Sequence, residues 1–115
     1  MNGKGSRRKG ADGERELVHL LTDMGFHGLR RGNVFAGDAD VVGLWPFHVE
    51  VKRVEKLNLW EAVQQSIREM IKKKDGEIPV VFHRKNHQKW LMTIPEEYFP
   101  IVISAVVWYL LKENT

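Results

Sequence analysis

The sequence predicts an α/β domain with its elements in the order α-β-β-β-α-β-β-α. Three observations carry this. Residues 47–52 alternate in character, with Phe47, Val49 and Val51 facing one side and His48, Glu50 and Lys52 the other, as in a strand that buries one face. Two stretches repeat apolar residues at helical spacing: Leu17, Leu20, Leu21 and Met24, then Leu59, Val63, Ile67, Met70 and Ile71. Ile78 to Phe82 is an apolar, β-branched and aromatic run of the kind that forms a buried central strand.

Taken in order, residues 1–10 are rich in Gly, Lys and Arg without periodicity, and read as a flexible basic arm ahead of a single domain at 11–115. The first helix starts near Ala11, with Asp12 as N-cap, and stops at Gly25. Glu14 and Arg15 fall in its first turn, where the helix dipole favours a carboxylate. Phe26 to Arg31 reads as a short strand and Gly32 to Gly37 as a loop. A hairpin turning at Trp45-Pro46 follows. Asn58 opens the second helix, Glu61 sits three residues on as a capping-box partner, and Asp75-Gly76 ends it after Lys72 to Lys74. Lys85 to Gln88 turns the chain from the central strand into another at Trp90 to Ile94. Pro95 to Phe99 links to a last helix, Ile101 to about Lys112, with Pro100 at its first turn. That helix is apolar nearly all round, so it requires cover beyond its own chain, and a subunit partner is expected.

Composition narrows the class. With 43% hydrophobic residues, a 115-residue chain can bury a core. The absence of cysteine excludes disulfides and thiolate zinc sites. No signal peptide is expected, and the longest apolar run, Phe99 to Leu111, is too short to cross a bilayer, which needs ~20 residues. A soluble, cytoplasmic protein is expected. Lys4, Arg7, Arg8 and Lys9 lie in the first ten residues without an acid, so the net charge of +3 is concentrated there. An arm of that kind suits a phosphate backbone.

Chemistry gathers between Asp38 and Lys52. A carboxylate at Glu50 two residues from Lys52, with Asp40 upstream, is costly to keep on an otherwise apolar sheet unless it is paired or holds a cation. A divalent ion held by hard oxygens, with a lysine beside the water it activates, is the simplest use. Other groupings are weaker. His83 and His87 are four apart but separated by a strand end and a turn, so zinc is not expected. The four tryptophans read as core or interface, and no kinase, dinucleotide or hydrolase-triad motif is present. His48 shares the charged face, as a contact to metal-bound water or DNA or as a structural residue.

The helix with Gly13-Glu14-Arg15-Glu16-Leu17, the strand ending in Arg30, Asp40-Val41-Val42, Glu50-Val51-Lys52 and Ile78-Pro79-Val80-Val81 together resemble the PD-(D/E)XK nuclease superfamily, and within it the archaeal-type and phage Holliday junction resolvases. The resemblance covers roughly residues 9–98. It implies a restriction-endonuclease-like central mixed β-sheet flanked by helices. It further implies a Mg²⁺-dependent structure-specific DNA endonuclease, with Mn²⁺ as substitute, that resolves four-way junctions by paired symmetric cuts leaving 5′-phosphate and 3′-hydroxyl ends. The catalytic set it points to is Glu14, Asp40, Glu50 and Lys52. Asp40, Glu50 and the Val51 carbonyl would be the main metal ligands, and Glu14 an outer or second-metal ligand. Lys52 would orient or deprotonate the attacking water. Ala39 stands where the family motif has proline, and Asp38 shares the strand parity of Asp40 and is its rival. Expected DNA contacts are Arg7, Arg8, Lys9, Arg15, Arg30, Arg31, Arg53, Gln65, Lys72 and Lys73, and either Arg30 or Arg31 holds the arginine position of the family. A symmetric junction suits a homodimer with one site per subunit, in the host cytoplasm if the source is a virus. The competing readings are another nuclease of this fold, nicking or end-processing, and a catalytically inert DNA-binding module.

Overall fold

Parallel neighbouring strands cannot be joined by a tight turn, and that constraint organises the chain. The computed structural model describes residues 3–114; the side chains of residues 3–9 and of Val34 lie outside the described part. The elements are helix α1 (Gly3–Asp23), strands β1 (Arg30–Arg31), β2 (Val41–Val42) and β3 (Phe47–Arg53), helix α2 (Leu59–Lys73), strands β4 (Ile78–Arg84) and β5 (Leu91–Thr93), and helix α3 (Phe99–Glu113). Short 3-10 turns at Val34–Ala36 and Glu96–Tyr98 join β1 to β2 and β5 to α3. The chain is an α/β fold with one mixed five-stranded sheet, ordered β1-β2-β3-β4-β5 and flanked by helices. Only β3 and β4 run parallel, and α2 is the crossover between them.

The two faces of β3 do different work. Val49, with Val41, Val80 and Phe82, packs against Leu17 and Leu21 of α1 in the core, with Phe47 and Val51 at its margin. Full burial of each such aliphatic side chain contributes ~1.5–3 kcal/mol. The opposite face carries His48 and Glu50, and Ala62, Ser66 and Met70 are the buried residues of α2. Gly13 lets α1 approach β3 closely, since a Cβ there would lie 2.9 Å from the Arg53 Cβ. The hairpin turn contains a cis Trp45–Pro46 peptide, and the Pro46 carbonyl accepts from Glu77 N (2.7 Å) and Ile78 N (3.1 Å), tying the turn to the start of β4.

Several boundaries differ from expectation. Helix α1 begins at Gly3, so the segment expected as a flexible arm is helical from Gly3 to Gly10, and Asp12 lies inside the helix instead of capping it. Lys and Arg are good helix formers, and lengthening a helix is easier than starting one. The strand expected over residues 26–31 shrinks to Arg30–Arg31. Gly28 adopts φ +77° just before it, and the chain bends out of the ladder. At α2 the Asn58 side chain accepts from Glu61 N (3.1 Å), as the capping pattern predicts, and Lys74 closes the helix at φ 53°. Helix α3 starts at Phe99 and is exposed along nearly its whole length.

Candidate active site

Asp40 immediately precedes β2, where the antiparallel pairing of Val41 with Val49 brings it beside β3. Its N–H donates to the Val49 carbonyl (3.0 Å), and its carboxyl accepts from Val51 N (2.8 Å). The side chain is thereby folded over the edge of β3 toward Glu50, which is 3% exposed. Burial first, then the charge of Glu50, push the Asp40 carboxyl up to about 8; the Val51 N–H opposes this, and Glu14 adds to it. Carboxyls placed so closely cannot both ionise without a compensating cation.

Glu50 is supported from behind. His48, fully buried, presents Nε2 to Glu50 Oε1 at 3.2 Å and Nδ1 to the Asp75 carbonyl at 3.2 Å. Burial works against the charged imidazole, but the hydrogen bond and charge of Glu50, joined by Asp75, outweigh it and raise the His48 pKa. With its Nδ1 proton given to the Asp75 carbonyl, Nε2 meets the carboxyl either as a second donor or as the acceptor of the Glu50 proton.

Glu14 reaches the same neighbourhood from α1. Its Oε1 accepts from Arg31 Nε at 2.9 Å. Glu14, Arg31, Asp38 and Asp40 line a cleft of about 330 Å³ between α1 and the start of β2. Lys52, next along the Glu50 side of β3, donates from Nζ to Gln65 Oε1 of α2 at 3.2 Å. Parity along β3, the β2–β3 register and the crossover helix therefore bring five sequence-predicted residues, Glu14, Asp40, Glu50, Lys52 and Val51, to one end of the sheet. Val51 is engaged through its N–H.

The rival positions separate. Asp38 accepts from Asn33 N (2.9 Å) and pairs with Arg30 (3.5 Å); the Asn33 bond first, with the Arg30 and Lys73 charges, outweighs burial and lowers its pKa. It closes the loop, while Asp40 is the residue coupled to Glu50. Arg31, not Arg30, lines the cleft beside Glu14.

Several expected DNA contacts have other partners. Arg53 lies on the α1 face of β3 and pairs with Glu16 at 3.0 Å. Its odd position, shared with Val49 and Val51, puts it there, so it is a clamp between α1 and the sheet; Arg84 joins the same carboxylate at 2.7 Å. Gln65 holds Lys52. Arg15 pairs with Asp12 on the exposed side of α1. Lys72 and Lys73 are exposed at the end of α2, with Lys73 beside Gly37. Arg7, Arg8 and Lys9 belong to α1, and their side chains lie outside the described residues. The link from His48 to Asp75 was not foreseen, although the shared parity of His48 and Glu50 was a visible signal.

Among the described residues, no three His, Asp or Glu side chains are arranged to hold an ion unaided. Glu14 is occupied by Arg31, which leaves Asp40 and Glu50 as the donor pair. Two hard carboxylates fit Mg²⁺, which asks for one or two and completes its shell with water and substrate oxygens. The observation behind that fit is the donor set itself: the Asp40 carboxyl, fixed by the Val51 N–H at 2.8 Å, set against the buried Glu50 carboxyl.

Comparison with protein-family models, with curated proteins and with solved structures finds no match. Fold and site by themselves define an α/β domain in which half-buried Asp40 lies against buried Glu50, with Lys52 two residues along the same strand. No helix among the described residues is long and apolar enough to cross a membrane.

Proposed function

We propose that this protein is a Mg²⁺-dependent DNA endonuclease of the PD-(D/E)XK type, with a restriction-endonuclease-like sheet, and that four-way junctions are its substrate. The observation carrying the reading is half-buried Asp40, held by the Val51 N–H at 2.8 Å beside buried Glu50, with Lys52 at the next position on the Glu50 face of β3. Asp40 and Glu50 would hold the ion, with the Val51 carbonyl as a third oxygen and Mn²⁺ able to replace Mg²⁺. When bound, the ion supplies charge neutralisation at the phosphate and a more acidic water.

The chain's own residues do the rest. Gln65 occupies one N–H of the Lys52 ammonium and fixes its direction, which leaves the others for the attacking water or a phosphate oxygen. His48 keeps the Glu50 carboxyl turned toward Asp40. Arg31, neutralised by Glu14 at rest, offers a guanidinium at the cleft rim for an incoming phosphate. Lys72, Lys73 and the basic start of α1 add contacts that read the backbone and not the bases, which suits recognition by shape. Two subunits related by a two-fold axis would cut opposed strands and leave 5′-phosphate and 3′-hydroxyl ends.

The test is incubation of end-labelled junction and matched duplex with the wild type and Asp40→Asn, with and without Mg²⁺. Paired symmetric nicks on the junction are expected from the wild type only, while Asp40→Asn binds without cutting. Duplex nicking at the same rate would move the assignment to a nickase of the same fold. Equal cutting by Asp40→Asn would reject the site.

A further inference from the structure

The chain carries two large apolar surfaces that do not satisfy one another. Helix α3 holds Phe99, Ile101, Ile103, Val106, Val107, Trp108, Tyr109, Leu110 and Leu111, each 40% to 63% exposed. Its main contact is the 3-10 turn before it. On the α1 face of the sheet, Leu20, Met24, Phe26, Leu44, Trp90 and Met92 surround an open cavity of about 530 Å³, and Lys89 is the only charged residue lining it among the described residues. Met24 and Met92 are both 62% exposed there. A ridge and a groove of matching chemistry thus stand apart on one molecule. Exposed apolar patches of such size mark interaction surfaces.

The route between them explains the separation. Tyr98 N donates to the Pro95 carbonyl (3.1 Å), and the turn at Glu96–Tyr98 passes directly into α3 without a break. This short joint passes into α3 with the helix packed mainly on the turn before it and not in the groove. The body is elongated, 54 × 30 × 26 Å, with a radius of gyration of 14.8 Å. A compact chain of this length has roughly 13 Å.

We propose that two copies of this chain exchange α3, each helix lying in the groove formed by Leu20, Met24, Phe26, Leu44, Trp90 and Met92 of the other. A short hinge that prevents closure within one chain favours closure between two. The exchange is two-fold and self-limiting, since each copy gives one helix and receives one. Seating the apolar side of each helix in a groove removes on the order of 1,000 Å² per helix, so the reciprocal pair falls within the ~1,200–2,000 Å² of a stable interface. Because α3 is apolar on more than one side, the two exchanged helices also have surface left to pack on each other. Nothing in this proposal depends on the chemistry at Asp40 and Glu50.

The test is sedimentation velocity of the full chain across the micromolar range, with Trp108→Glu on the helix and Met24→Lys in the groove. Both sites are exposed, and circular dichroism verifies that each variant folds. The wild type is expected to be a dimer, and each single variant to weaken it by about tenfold or more. Mixing the two variants restores a dimer, because one exchanged contact is then Glu against Lys and the other is wild type. A wild type that stays monomeric overturns the proposal, as does a dimer sensitive to Trp108→Glu but not to Met24→Lys. A mixture that does not reassociate, or a monomer that instead binds phosphatidylcholine vesicles through α3, overturns it equally. A monomeric wild type would also remove the basis for paired symmetric cuts, whereas strand cleavage itself is read separately by the Asp40→Asn assay.

Discussion

The backbone N–H of Val51 donates to the Asp40 carboxyl at 2.8 Å, and this bond sets Asp40 against Glu50 on the neighbouring position of β3. Asp40 is held by a main-chain group while its side chain faces a like charge. The fold itself enforces the repulsion, and stability and function are opposed at this point.

Replacing Asp40 therefore has two expected effects of opposite sign. Asp40→Asn keeps the shape and removes a carboxyl that the fold must hold protonated, so above the ordinary carboxylate range and without divalent ions the protein gains about 0.5–2 kcal/mol. Urea unfolding in a chelating buffer measures this. A loss of stability there would mean that the Val51 bond outweighs the repulsion.

The same pair makes the metal-free protein most stable in acid. The Asp40 pKa is near its ordinary carboxylate value when unfolded and about 8 when folded, so across that interval the native state binds more protons. Stability then falls as pH rises from about 4 to about 8, by up to ~1.4 kcal/mol per pH unit. His48, whose pKa is also raised in the fold, contributes stability below its ordinary range that is lost as pH rises through the folded value, in the same direction. Thermal melts in chelator over this range should show the decline for the wild type and a flatter profile for Asp40→Asn.

Gln65 is expected to act through Lys52. Gln65→Ala leaves the ammonium in place but undirected, and should lower kcat about 10–100-fold, the usual cost of losing an orienting outer residue. KM for the junction should change little, since Gln65 is already engaged. Steady-state kinetics separate these; a raised KM at constant kcat would return Gln65 to the DNA-contact set.

The core beneath the site has its own measure. Leu17 is fully buried against Val41, Val49, Val80 and Phe82, and Leu17→Ala should cost about 2–5 kcal/mol by equilibrium unfolding. A cost well below that range would mean α1 is not docked on the sheet.

What the sequence made legible was whatever depends on period and short-range spacing. The parity of Phe47 to Lys52 assigned both faces of β3, and the Asn58–Glu61 spacing located the start of α2. Arg53 was expected as a phosphate contact on its charge, while the parity of β3 places it under α1, where it pairs with Glu16. The strand at 26–31 failed because Gly28 turns the chain, which apolar content does not reveal. The His48–Asp75 contact joins β3 to the residue after the α2 cap, and only the tertiary path of the crossover brings them together. Choosing between Asp38 and Asp40 likewise required the β2–β3 register.

The central claim is that Asp40 and Glu50 together form one cation site. Mn²⁺ binding to the DNA-free protein at near-neutral pH, read by electron paramagnetic resonance, tests it most directly. The account predicts saturable binding to the wild type that is lost in Asp40→Asn and in Glu50→Gln. Undiminished binding in both variants, or no binding by the wild type, would contradict it.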